Sequence, residues 1–243
     1  TNTFGAVTVS DGGSISAGAN AIVNGDGVNA STIANDGSIS CSTFTNNANA
    51  TYTATNATST TLTTSGTIDI NGLFTANDST ITITGNGDFD VDGQANFAYG
   101  TSTVDLQGTG TIVGHANWIT FYKLTCGAAG KTTSINMGAA WNGIDIYNTL
   151  TVGSGNLSQS AASQKLLLYA ATCTNGGTID VEEFEVNVGT SSSNGGDFAD
   201  SWMQVGNGGT LGLTGSVTAS GNWRVGYYSN NTTNVLNLAG NSI

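Results

Sequence analysis

The sequence predicts an all-β fold, a parallel β-helix or β-solenoid with roughly 21–23 residues per coil. Three observations carry that expectation. Short alternations of apolar and polar residues recur throughout, one unit is written twice at constant spacing, and glycine-rich turns separate the copies while proline is absent altogether. Alternation with a period of two puts the apolar side chains on one face of a strand and the polar ones on the other. The duplication is clearest between Asn77 and Gly114: Ile81 precedes Val104 by 23 positions, and Phe89 precedes Ile112 by 23 as well. A meander of hairpins needs only two-residue turns and keeps no such period.

Taken in order, the coils are built from two strand types. The first reads Gly, then Ser, Thr or Asp, then apolar-polar-apolar, as in Gly37-Ser38-Ile39-Ser40-Cys41, Gly66-Thr67-Ile68-Asp69-Ile70 and Gly87-Asp88-Phe89-Asp90-Val91. The second is a Thr-rich alternation before a Gly turn, as at Thr80 to Thr84, Thr103 to Gln107 and Thr210 to Thr214. A third short apolar segment follows several of the first type, at Leu73-Phe74, Phe97 and Phe184-Glu185-Val186. Each strand is too short to bury its face alone, so coils must stack at about 4.8 Å around a shared core.

One domain is expected over 1–243. Residues 1–115 read as regular coils, 116–174 as less regular coils enlarged by loops, and 175–243 as regular coils again, tagged by Val188-Gly189, Val205-Gly206 and Val225-Gly226. Trp202 and Trp223 stand at nearly the same offset before the last two tags and are expected to correspond.

Charged residues are 8% of the chain, against a usual share of roughly 25%. Thr, Ser, Asn and Gly must therefore solvate the surface, and they suit strands and tight turns. Four basic residues against 16 acidic ones give a net charge of −12, which argues against nucleic acid as a partner. No segment approaches the roughly 20 apolar residues of a membrane span. The chain opens at Thr1 with no charged segment followed by an apolar one; a lost signal peptide or a trimmed fragment is expected, and an extracellular location at a cell or virion surface. Cys41, two residues after Ile39, is expected as a buried thiol. Cys126 and Cys173 form a disulfide only if their α-carbons come within about 7 Å.

Three stretches resemble repeats of a known kind: Phe97 to Val104 running into Gly108-Thr109-Gly110, then Thr120 to Thr125, then Asn148 to Gly155. They look like the repeats of bacterial and phage surface proteins built as right-handed parallel β-helices. The Val-Gly segments near the C-terminus are similar to strand repeats of autotransporter passenger domains and related adhesins. The resemblance implies an extracellular structural or adhesive role and brings no catalytic residues with it.

The residues offer few chemical candidates. Asp88, Asp90 and Asp92, followed by Gly93, place three carboxylates at alternate positions; the row is either a Ca²⁺ site or a solvated outer face. An EF-hand would need Glu at its twelfth place, which here is Tyr99. Asp180, Glu182, Glu183 and Glu185 form the other acidic cluster, the basis for a polysaccharide depolymerase as one alternative. His115 follows a Gly turn and reads as a loop residue. Aromatic and basic residues at Trp118, Tyr122, Trp141, Trp223, Arg224, Tyr227 and Tyr228 compose a ligand patch for glycans or a host receptor, the adhesin or phage-fibre alternative.

The favoured expectation is a structural, non-enzymatic protein without an obligatory cofactor. Thr3, Phe4, Val7 and Val9 at one end, and Val235, Leu236, Leu238 and Ile243 at the other, read as further strand with no capping helix or charge cluster. Uncapped strand edges invite a second copy, so the partner expected first is the chain itself, stacked head to tail in a fibre or surface layer.

Overall fold

The computed structural model describes residues 2–4, 6–55, 60–93, 96–115, 118–169 and 172–186, and beyond them the strand backbones at 191–194, 197–198, 202–206, 210–213, 223–227 and 235–237. It is a parallel β-solenoid. Each coil crosses up to three sheets in turn, called A, B and C here. Sheet A stacks ten strands from Asn2–Phe4 to Asp197–Phe198, sheet B five from Ala6–Val9 to Phe97–Ala98, and sheet C fifteen beginning at Ser14–Ser16. Every strand pairing is parallel, and Ile81 pairs with Val104 and Phe89 with Ile112, the partners expected from the 23-residue spacing.

The register turns alternation into ladders. Inside sheet A, Ile22, Phe44, Ile68, Phe89, Ile112 and Ile135 lie one above the next. Sheet B contributes Val7, Ile33, Tyr52, Phe74 and Phe97. Sheet C contributes a column of branched aliphatics from Ile15 through Leu62 and Val104 to Leu150, closed by Cys173. From Ile22 to Ile112 residue size alternates in sheet A, so that each large ring lies between smaller side chains. The rings interlock within and across sheets, with Tyr52 stacked on Phe74 inside sheet B at 4.3 Å between centroids and Phe44 of sheet A edge-on to Tyr52 at 5.4 Å. Such pairs add roughly 0.5–1.5 kcal/mol each to the burial term.

Glycine opens the first strand type because successive backbones nearly touch there. A β-carbon on Gly110 would lie 1.9 Å from the Gly87 carbonyl oxygen, and one on Gly87 would lie 2.4 Å from the Gly66 carbonyl carbon. The glycines are a ladder of their own.

The coil changes at its middle. Sheet B ends at Phe97–Ala98, and among the described residues no strand pairs with its far side. The extra residues of the 116–174 region lengthen strands as well as turns: Ile119–Cys126 has 8 residues and Gly143–Val152 has 10. The latter is a fork. Its first half pairs with Lys165–Leu168 and its second with Thr172–Asn175. The first branch runs on through Glu183–Val186, Trp202–Gly206 and Trp223–Tyr227, in the place along the coil that sheet B holds earlier; we call it the late face. The core crosses the join through Phe121, whose ring lies 5.9 Å from Phe97 and 5.6 Å from Phe89.

Several expectations are settled here. Cys41 is a free, buried thiol as expected. Cys126 and Cys173 are also buried and are not joined to each other; Cys126 pairs with Val152, and Cys173 lies a coil further on, opposite Leu150. Two coil spacings and an offset of two residues along the strand put their α-carbons roughly 11–12 Å apart, too far for a disulfide. Burial pushes the Cys126 thiol up to about 12. Val205 and Val225 are partners, but Trp223 pairs with Met203 instead of corresponding to Trp202, and the register shifts so that Gly206 meets Tyr227. Val9 is buried and Val7 packs against the core, so the strand Ala6–Val9 presents only its backbone at the edge of sheet B. Thr3, Phe4, Val235 and Leu236 lie in edge strands whose side chains, like the whole of Leu238 and Ile243, fall outside the described residues. No helix among the described residues is long and apolar enough to cross a membrane.

Candidate functional site

Three polar assemblies stand on the outer surface. The first is on sheet A, where alternation leaves Asp69, Asp90 and Asp92 facing outward from strands whose Ile and Phe face in. Asp69 and Asp90 are register partners, and Asp92 follows Val91, the partner of Gly114, which His115 follows. The imidazole therefore comes to rest on the acidic row: His115 Nε2 is 3.0 Å from Asp90 Oδ1 and 3.4 Å from Asp92 Oδ1. Burial first, and then the charge of Asp90, hold the Asp69 carboxyl above its ordinary value. Asp88 is not in this group. Its Oδ1 accepts the Thr111 N–H at 2.7 Å, tying its coil to the next.

The second assembly is a groove of about 320 Å³ on the outside of sheet C beside the end of sheet B, lined by Asp78, Thr101, Thr103, Tyr122 and Lys123. A register shift between Phe121 and Lys123 sets Tyr122 out of the ladder, and a bulge of this kind re-aims a side chain. The Tyr122 hydroxyl accepts from Asn148 Nδ2 at 3.3 Å, and Lys123 Nζ lies 5.8 Å from the Tyr122 ring centroid. Asp78 Oδ1 is buried with no hydrogen-bond partner among the described residues. Near the groove Tyr99, Tyr147 and Tyr169 stack along the column axis at 6.0 and 5.2 Å.

The third assembly is on the late face. Lys165 Nζ meets Glu183 Oε2 at 2.6 Å and lies 5.3 Å from the Trp141 ring centroid. Trp141 is 49% exposed in a turn at φ +67°, and its backbone N–H donates to the Ser163 carbonyl at 2.7 Å. In the neighbouring column Asp145, Leu167 and Glu185 are successive partners. Leu167 lies outside the core cluster yet is only 9% exposed, and Glu183 and Glu185 are buried. Burial first, and then the charge of Glu185, raise the Asp145 carboxyl to about 7. Burial and Glu183 raise Glu185, with Lys165 opposing.

Set against the sequence, the acidic row keeps Asp90 and Asp92, exchanges Asp88 for His115 and adds Asp69. Of the aromatic patch, Tyr122 lines the groove, Trp141 stands beside Lys165, and Trp118 is half-buried before the strand Ile119–Cys126. Trp223, Arg224 and Tyr227 lie in the strand Trp223–Tyr227, their side chains outside the described residues, and Tyr228 lies outside them altogether. Arg224 shares a register column with Gln204 and Glu185. The second acidic cluster is divided, since Asp180 belongs to sheet A while Glu183 and Glu185 belong to the late face. Asp145 and the tyrosine stack were not singled out from the sequence; Asp145 is flanked by Ile144 and Ile146, the pattern of an outward residue, but nothing local reveals what covers it. No family model matches the chain, and comparison with curated proteins and with solved structures finds no match.

Proposed function

We propose that the chain is an extracellular structural protein, the protomer of a fibre or surface layer that grows by end-to-end stacking of solenoids. The observation that supports this reading is the line of parallel pairings through sheet C, continuous from Ser14–Ser16 to Val235–Asn237. Along this line each coil is a template for the next. The strand Ala6–Val9 shows how such an edge is offered: its two valines point inward, Ala6 and Thr8 are exposed, and the backbone is what a neighbouring strand would read. A surface of Thr, Ser and Asn with few charges lets like coils meet without like-charge repulsion.

Electron microscopy and sedimentation of the purified protein over a rising concentration series test this. Filaments with the roughly 4.8 Å axial repeat of stacked strands are expected, shortened by Thr8→Lys, which sets a charge on the edge strand. Discrete columns that never associate would sink the proposal.

The groove favours a second reading, an adhesin or phage-fibre segment that holds a glycan. Tyr122 supplies a stacking face, and Asp78, Thr101, Thr103 and Lys123 supply polar groups of the kind that orient a bound sugar. Glycan-array binding lost in Tyr122→Ala and Lys123→Ala would support it, and binding that ignores both substitutions would remove the groove from consideration.

A further inference from the structure

We propose that Asp90, Asp92 and His115 bind one divalent cation of the Zn²⁺ class, held between two successive coils. The three side chains each offer one ligand atom, and these atoms lie within 4.8 Å of one another. A tetrahedral ion with bonds of about 2.0–2.2 Å has ligand-to-ligand edges of about 3.3–3.6 Å. The distances from His115 Nε2, 3.0 Å to Asp90 Oδ1 and 3.4 Å to Asp92 Oδ1, are close to those edges. The two carboxylate oxygens lie within 4.8 Å of each other, so an ion is reached by side-chain adjustment without moving the backbone. Two oxygens and one nitrogen leave a fourth position for water, the arrangement of an open zinc site.

The backbone makes this set possible. Asp90 lies on the strand Phe89–Val91 and Asp92 just past its end, two residues on, and His115 arrives above them because Gly114 is the partner of Val91. Asp69, one coil below in register with Asp90, adds a third negative charge without being a ligand. Like charges opposite one another in a ladder destabilise it, and a bound cation relieves that repulsion along the whole column. His115, Asp90 and Asp92 have side-chain exposures of 53%, 29% and 48%, so an ion has open access.

The donor set also selects the metal. Ca²⁺ takes six to eight oxygens, whereas here one donor is nitrogen and Asp88, the carboxylate that would complete an oxygen cage, is engaged by the Thr111 amide. Imidazole beside carboxylate suits Zn²⁺ and its neighbours. The sequence row of Asp88, Asp90 and Asp92 thus resolves into a different site with a different preference, and this site is independent of the assembly reading.

Isothermal titration of the metal-free full chain with ZnCl₂ and with CaCl₂ provides the test, using Asp88→Asn, His115→Gln and Asp92→Asn variants. One saturable Zn²⁺ site per chain is expected, weakened about tenfold or more by His115→Gln and by Asp92→Asn and unchanged by Asp88→Asn. Zn²⁺ at about a hundred times its wild-type dissociation constant raises Tm by roughly 5–10 °C in the wild type and by about half that or less in His115→Gln. His115 and Asp92 are exposed and Asp88 is half-buried, and the metal-free Tm values of the three variants report folding separately. Co²⁺ bound in place of Zn²⁺ should show tetrahedral d–d bands without a thiolate charge-transfer band. Absence of saturable Zn²⁺ uptake, Zn²⁺ affinity that survives both ligand substitutions, or tighter Ca²⁺ binding lost in Asp88→Asn would each overturn the proposal.

Discussion

The corner between sheets A and B and the late face both keep polar side chains away from water, by opposite means. At the corner Asn24 and Asn46 are register partners, each fully buried. Asn24 Nδ2 donates to Asn46 Oδ1 at 2.7 Å and to the Thr51 carbonyl at 2.9 Å, and Asn24 Oδ1 accepts from Ser31 Oγ at 2.8 Å. Asn46 Nδ2 donates in turn to the Leu73 carbonyl at 3.0 Å. On the late face Asp145 and Glu185 are separated by Leu167, and Asp145 Oδ1 is buried without a hydrogen-bond partner among the described residues. A solenoid sets residue upon like residue. An amide carries both donor and acceptor, so amide on amide attracts; carboxylate on carboxylate repels. The comparison accounts for a chain with 8% charged residues: a charge in such a stack needs an opposite charge in the next coil, as Lys165 provides for Glu183.

The harshest way to break the contrast is to write a carboxylate into the amide ladder. Asn46→Asp removes the donors to Leu73 and Ala50 and buries a charge, and about 3–5 kcal/mol is expected to be lost at pH 7, read by urea denaturation, with part regained as the pH falls and the carboxyl protonates. Next is Lys165→Met, which takes away the cation 2.6 Å from Glu183. It should cost about 3 kcal/mol, and Lys165→Met combined with Glu183→Leu should recover most of that in a double-mutant cycle. The smallest effect has the opposite sign. The Asp145 carboxyl is raised from its ordinary 3.8 to about 7, so it disfavours folding above pH 3.8, increasingly up to pH 7 and fully beyond. Asp145→Asn is therefore expected to stabilise at pH 8 by about 1 kcal/mol, or about 2–4 °C in Tm, and to change nothing near pH 3. An equal Tm gain at both pH values would refute the account.

The ladders were legible because their signal is repeated and local. Ile81 and Val104, or Phe89 and Ile112, can be matched by counting, since alternation fixes the face and a shared coil length fixes the register. The acidic row was legible only as a face: alternation aligned Asp88, Asp90 and Asp92, but which carboxylate a neighbouring coil engages depends on Thr111 and His115, more than 20 positions away. The fork at Gly143–Val152 was hidden for a related reason. Residues 144–146 and 150–152 each alternate, with Tyr147-Asn148-Thr149 between them, and only their two different partners reveal that one strand serves two ladders. Lys165 and Glu183 meet because the coil between them is short, a length that no residue pattern announces.

The interruption between Phe97–Ala98 and the late face has a mechanical meaning. A column braced by three unbroken ladders resists bending alike in every direction. Where one ladder stops, that side is joined by ring contacts such as Phe97 to Phe121, which slide more readily than backbone hydrogen bonds stretch. The molecule is thus a beam with one compliant side at a single level, and a fibre built from it would carry a preferred direction of curvature repeated once in every subunit.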